Sequence, residues 1–109
     1  MSEEIEVQSS SGNVFADLGL ANPDELLIKA ELVRQISNLI DTKNISQTEV
    51  AKLFDIDQSE ISALLNGKLS NFSTEQLFKF LNALGSDVEI RVVSKPRSNF
   101  KAQTRVISA

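Results

Sequence analysis

Apolar residues recur through the middle of this chain at helical spacing. In "NPDELLIKAELVRQISNLIDTKN", Leu26, Leu27, Ala30, Val33, Ile36, Ser37 and Ile40 trace one face. Steps of three and four residues place side chains on one side of a helix, so this stripe predicts a helix with a buried face. Asn22 suits the N-cap and Pro23 the first helical position, while Asp24 and Glu25 favour the positive end of the helix dipole. Asn44 marks the stop. A second, shorter helix opens at Ser46, whose spacing to Glu49 makes a capping box, and carries Val50, Ala51, Leu53 and Phe54. A third opens at Asp57 with Glu60 three residues on, buries Ile61, Leu64 and Leu65, and ends at Asn66 and Gly67. A fourth opens at Ser73 with Gln76, carries Leu77, Phe78, Phe80, Leu81 and Leu84, and closes at Gly85.

The period then changes. In "DVEIRVV", Val88, Ile90 and Val92 alternate with Glu89, Arg91 and Val93, the pattern of a strand with one apolar face, and Pro96 ends it. The expected fold is mainly α: a small helical bundle followed by one C-terminal β-strand. A lone strand leaves hydrogen-bonding groups open along both edges. Residues 87–94 therefore call for a partner, ranked as the same strand of a second subunit first, with residues 4–8 or another protein's edge as the other options.

The flanks differ from this core. Residues 1–21 are expected to form an acidic, flexible N-terminal segment in which "NVFADLGL" makes one helical turn through Val14, Phe15 and Leu18. Residues 22–94 form the domain, and residues 95–109 a basic, flexible tail. Residues 1–26 hold six acids and no base, whereas no acid follows Glu89 and Arg91, Lys95, Arg97, Lys101 and Arg105 make the end basic. The whole chain of 109 residues has net charge -4. Such asymmetry points to ends with different partners.

Composition removes several kinds of chemistry. There is no cysteine and no histidine, hence no disulfide framework, no thiolate zinc site and no Ser-His or Cys-His nucleophile pair. No metal spacing, glycine-rich phosphate loop or catalytic constellation is present, so neither an enzyme nor a cofactor or small-molecule substrate is expected. No apolar run approaches the roughly 20 residues of a membrane helix, and "MSEEIEVQSSS" is too acidic for a secretory signal. A soluble cytoplasmic protein is the expectation.

What remains is the stretch "SQTEVAKLFDIDQSEISALLNGK", Ser46 to Lys68. Two short helices crossing steeply need a small residue at the crossing, which Ala51 supplies, and an apolar wedge, which Val50, Phe54, Ile56, Ile61 and Leu64 supply. The turn "FDID" needs a residue tolerant of positive φ, and Asp55 meets that need. Gln58, Ser59, Ser62, Ala63 and Asn66 then point outward. They are small or bidentate polar groups, where an ordinary solvated face carries more Lys and Glu.

This stretch resembles the helix-turn-helix of the phage-repressor and Cro-like, or XRE-type, regulators: Gln47 and Gln58 match the family's glutamines at the starts of the two helices, and "NGK" its exit. "SGNVFADLGL", the long first helix and "FSTEQLFKFLNALGSDVEIRVV" are similar to the HigA-like antitoxin branch, over residues 12–94. That resemblance implies a homodimer on a double-stranded DNA operator, which represses its own operon and neutralises a basic RelE-like ribonuclease toxin. A stand-alone XRE-type repressor and a protein-interaction module that leaves DNA untouched are the alternatives. The match further implies that Gln47 donates to a phosphate and braces Gln58. Gln58 faces a base edge, Ser59 and Ser62 donate or accept, Ala63 meets a thymine methyl, and Lys43 and Lys68 contact phosphates. Thr48 and Asn66 complete the DNA-binding set. Glu60 is read as a cap partner of Asp57 before it is read as a base contact. Two positions depart from the family pattern: Asp55 stands where glycine is usual, and Asp57 where Ser or Thr is common. The acid of the chain is expected to lie mostly outside this element and to serve a protein partner.

Overall fold

Pro23 opens the first helix, α1 (Pro23–Lys43), in a computed structural model that describes residues 23–94 and 104–108. Helix α1 ends where Asn44 turns to φ 56° and the Ile45 N–H returns to the Ile40 carbonyl at 3.2 Å. Three shorter elements and a 3-10 turn follow: α2 (Gln47–Phe54), α3 (Gln58–Leu65), the turn Leu69–Asn71, and α4 (Thr74–Ala83). The caps predicted at Ser46 and Ser73 are in place, while Asn22, the cap predicted for α1, lies outside the described residues. Ser46 Oγ accepts from the Glu49 N–H at 3.2 Å, and Ser73 Oγ accepts from the Gln76 N–H at 3.1 Å. Each partner side chain accepts back from the cap backbone, at 3.3 and 2.9 Å. Glu60 accepts from the Asp57 N–H at 3.1 Å, the cap role expected of it.

Helix α1 packs chiefly on α4, and α2 lies against both α3 and α4. Ile36, Val50, Ile61, Leu64 and Leu77 are fully enclosed at the centre. Leu32 and Ile40 of α1 and Leu81 and Leu84 at the α4 end close the same core. The buried face of α1 is rotated from the predicted stripe. Leu32 is buried, whereas Leu26, Leu27, Ala30 and Ser37 are only half-buried. Periodicity marks a face but not its width, and here two charged residues also fall inside it. Lys29 is paired with Glu25 at 3.1 Å, and Glu31 takes a two-pronged contact from Arg34 at 2.8 and 2.5 Å. Such pairing is what allows buried charges to persist.

Residues 86–94 form no regular element, and no strand occurs among the described residues. Val88 is half-buried against the core, but Ile90, Val92 and Val93 are 76%, 91% and 67% exposed. The reason is physical: a strand is defined by its ladder, and no second edge runs beside this segment among the described residues. Beyond it, residues 104–108 return to the bundle. Val106 packs against the core, and the Gln35 amide donates to Ser108 Oγ. The predicted flexible segment 1–21, its "NVFADLGL" turn and residues 95–103 lie outside the described residues.

Candidate nucleic-acid interface

The site begins with what holds α2 and α3 together. Ala51, 8% exposed, lies where the two helices meet, and Val50, Phe54, Ile61 and Leu64 are buried around it, with Ile56 half-buried. The turn between them needs a left-handed residue. Asp55 takes φ 58° and ψ 46°, and the next N–H, that of Ile56, bonds back to the Ala51 carbonyl at 3.1 Å. This is a C-cap built on Asp where glycine would sit with less strain. With Ile61 and Leu64 fixed inward, helical geometry turns the other side of α3 outward.

That outer face carries Gln58, Ser59 and Ser62, all exposed, with Ala63 half-buried beside them. Asn66, the next residue after α3, is exposed too, and its amide donates to Ser62 Oγ at 3.3 Å. Gln47 and Thr48 are exposed in the first turn of α2. The brace on Gln58 comes from Thr48 and not from Gln47: Gln58 Nε2 donates to Thr48 Oγ1 at 2.5 Å. One step along a helix swings a side chain by about 100°, so neighbouring positions address different directions. The identity of the bracing residue is thus a tertiary fact that the motif alone does not carry.

The cations are spread around this face. Lys68 is exposed at the exit of α3, just before the 3-10 turn. Lys43 is exposed at the end of α1, with its ammonium 3.9 Å from where a side chain at Gly85 would begin, so it leans over the exit of α4. Lys52, not foreseen as a site residue, is exposed on α2 and lines a cleft of about 490 Å³ with Thr48, Gln58 and Glu60. Its signal in the sequence was only a lysine on the polar side of a short helix.

Between Ser46 and Lys68 the acids Glu49, Asp55, Asp57 and Glu60 outnumber Lys52 and Lys68. Most of the chain's acid lies outside the element, as expected, but the element itself is still slightly acidic. Two of the four are committed to structure: Glu49 and Glu60 accept from the backbone N–H groups of Ser46 and Asp57. Their carboxylates are engaged at helix starts, and beside Glu60 the exposed residues of α3, Gln58, Ser59 and Ser62, are neutral.

Among the described residues there is no group of side chains placed to hold a metal ion, and no helix is long and apolar enough to cross a membrane. Residues 14–93 match the family described as a helix-turn-helix domain. A solved structure named as an XRE family transcriptional regulator is 41% identical, with a TM-score of 0.74 over 79% of this chain and 97% of that one. A comparison with curated proteins gave no match.

Proposed function

Since the chain belongs to the helix-turn-helix domain family, we propose that it is a sequence-specific DNA-binding transcriptional regulator of XRE type. The observation that carries this reading is the outer face of α3, where Gln58, Ser59, Ser62 and Asn66 stand exposed and uncharged on a helix locked inward by Ile61 and Leu64. A major groove admits one helix and presents hydrogen-bonding base edges to it. A rigid row of neutral amides and hydroxyls is suited to those edges. Gln58 addresses a base, Ser59 and Ser62 offer donors or acceptors, Ala63 meets a thymine methyl, and Gln47, Lys43 and Lys68 address phosphates, which position without specifying. Nothing in this reading asks for catalysis or a cofactor, and it places the protein with the DNA in the cytoplasm.

The regulator acts as a homodimer, because one helix covers only a half-site and two half-sites lie about one DNA turn, 34 Å, apart. The exposed apolar residues Ile90, Val92 and Val93 supply the dimer contact, with residues 87–94 pairing as strands across the two-fold axis. The finer role is antitoxin and autorepressor of a type II pair, neutralising a basic RelE-like ribonuclease. Its support is the resemblance over residues 12–94 and the composition of residues 1–26, six acids and no base, which complements a protein that must itself bind RNA.

The direct experiment exposes the chain to fragmented genomic DNA at about 0.15 M salt, where exposed charges interact only over roughly 8 Å. The reading expects one or a few retained fragments, including the region upstream of its own reading frame. Retention of all fragments alike, or of none, contradicts it.

A further inference from the structure

We propose that residues 104–108 are a strap exchanged between the two chains of the dimer, each strap lying on α1 of the partner copy. This rests on the homodimer proposed above, with residues 87–94 paired across its two-fold axis.

The strap and its seat are visible in the single chain. Val106 and Ser108 are half-buried, while Thr104, Arg105 and Ile107 between and before them are exposed. Such alternation is the period of an extended segment laid along a surface. Val106 packs against the core, and the Gln35 amide of α1 donates to Ser108 Oγ. The same amide reaches Glu31 Oε2 at 3.4 Å, and Glu31 is buried and held by Arg34. The seat is thus an apolar contact beside a donor that a buried carboxylate orients. The strap lies beyond residues 14–93, the part that belongs to the helix-turn-helix family, so its contact is an addition to the shared fold.

The path of the chain before the strap decides which α1 receives it. Lys43, at the end of α1, leans over Gly85, just past α4. Residue 87 therefore leaves the bundle near that end of α1, and Gln35 lies about 12 Å back along the helix. Past Val88 the segment does not rest on its own bundle, since Ile90, Val92 and Val93 are largely exposed. Paired as a strand, residues 87–94 advance about 23 Å from their starting point. Antiparallel pairing sets residue 94 of one chain opposite residue 87 of the other, about 5 Å away. Each strand so delivers its end to the foot of the partner's bundle. Residues 95–103 span about 30 Å at full stretch. That length reaches the partner's seat with slack, whereas the return along the strand and α1 to the chain's own seat consumes all of it. Exchange keeps the contacts of the single chain and adds the strand ladder, which is how identical elements swap between copies.

The chain has no cysteine, which permits a clean test. Gln35→Cys and Ser108→Cys are made on separate copies of the whole chain, mixed, and treated with a short bis-maleimide, beside each variant alone and the double variant. In the mixture a cross-link between the two sites can form only between chains. A cross-linked dimer is expected there in excess of either variant alone. Removal of residues 104–109 should raise the dimer dissociation constant about tenfold or more, because two Val106 contacts are lost per dimer. Closure of the double variant within one chain, with no excess in the mixture, overturns the exchange while the dimer stands. A dissociation constant unmoved by the deletion overturns it too. An unmodified chain that stays monomeric in light scattering at every concentration overturns both the exchange and the dimer.

Discussion

The rings of Phe54 and Phe80 lie stacked, with centroids 4.2 Å apart and planes 4° from parallel. Phe54 is the last residue of α2 and Phe80 sits in the middle of α4, so this contact joins the DNA-facing element to the helix that follows it. Phe72 meets the same Phe80 ring edge-on, at 6.1 Å and 71°. Two helices of eight residues are too short to persist alone in water. Their relative angle is therefore set by what lies beneath them, and Phe80 is the shared support.

Phe80→Ala removes that support and leaves a cavity between α2 and α4. The expected loss is about 3–5 kcal/mol, a large part of the stability of a small domain. Urea unfolding measures it. A loss below about 1 kcal/mol would mean that the aromatic cluster is incidental to the orientation of the element.

Asp55 offers the opposite kind of change. Its φ of 58° costs an L-residue conformational energy that glycine does not incur, though glycine loses more chain entropy on folding. Asp55→Gly is expected to stabilise by about 0.5–1 kcal/mol and, by deleting a negative charge near the backbone of the duplex, to tighten DNA binding. Asp55→Asn separates the two effects: it removes the charge and keeps a side chain that tolerates the left-handed region. It should tighten DNA binding with little gain in stability. If both variants melt where the unmodified protein does and bind no more tightly, the turn is neither strained nor near DNA.

The N-terminal residues are assigned to a protein partner by charge alone. Deleting residues 1–20 removes Glu3, Glu4, Glu6 and Asp17 and no base. Operator affinity is expected to hold or rise slightly, while affinity for a basic toxin encoded by the neighbouring reading frame falls. Titration calorimetry on the shortened chain decides it: equal toxin affinity with and without the segment dismisses the assignment.

Residues 87–94 are the proposed dimer contact. Ile90→Pro removes a ladder donor and is incompatible with a central pairing. Because Ile90 is largely exposed in the single chain, the fold itself should be untouched. Light scattering is expected to find a monomer, and binding to a two-half-site operator should lose cooperativity. A dimer of unchanged strength would move the interface to the helices.

Much of this molecule is legible along its sequence because the signals are local. Ser46 and Glu49, Ser73 and Gln76, and the glycines at 67 and 85 set helix ends through contacts three to five residues long, and the structure has them where the spacing puts them. The small Ala51 and the turn residue Asp55 are legible for the same reason, since each answers to its immediate neighbours. What escaped is what depends on distant chain. The α1 stripe misses Leu32 and the pairing of Glu31 with Arg34, because the width of a buried face is set by the helices packed on it. Val106 packs on the core and Ser108 meets Gln35 of α1 some seventy residues away, with nothing nearby to announce either. Thr48 replaces Gln47 as the brace of Gln58 because the crossing of two helices, not the order of two letters, decides which side chain reaches across. The strand stands apart, since its pattern describes a surface waiting for an edge that the described residues do not supply.

The most direct measurement is a salt titration of Gln58→Ala and Lys68→Ala on a selected duplex and on a scrambled one. Both residues are exposed and neither contributes to the core, so both variants should fold. If Gln58 reads a base, its loss should cost about 1–3 kcal/mol on the selected duplex and almost nothing on the scrambled one. If Lys68 neutralises a phosphate, its loss should weaken both complexes alike and reduce the salt slope by about one counterion. Equal losses on the two duplexes for Gln58→Ala would contradict the account, because the face of α3 that carries Gln58 would then not be the one that lies in the groove.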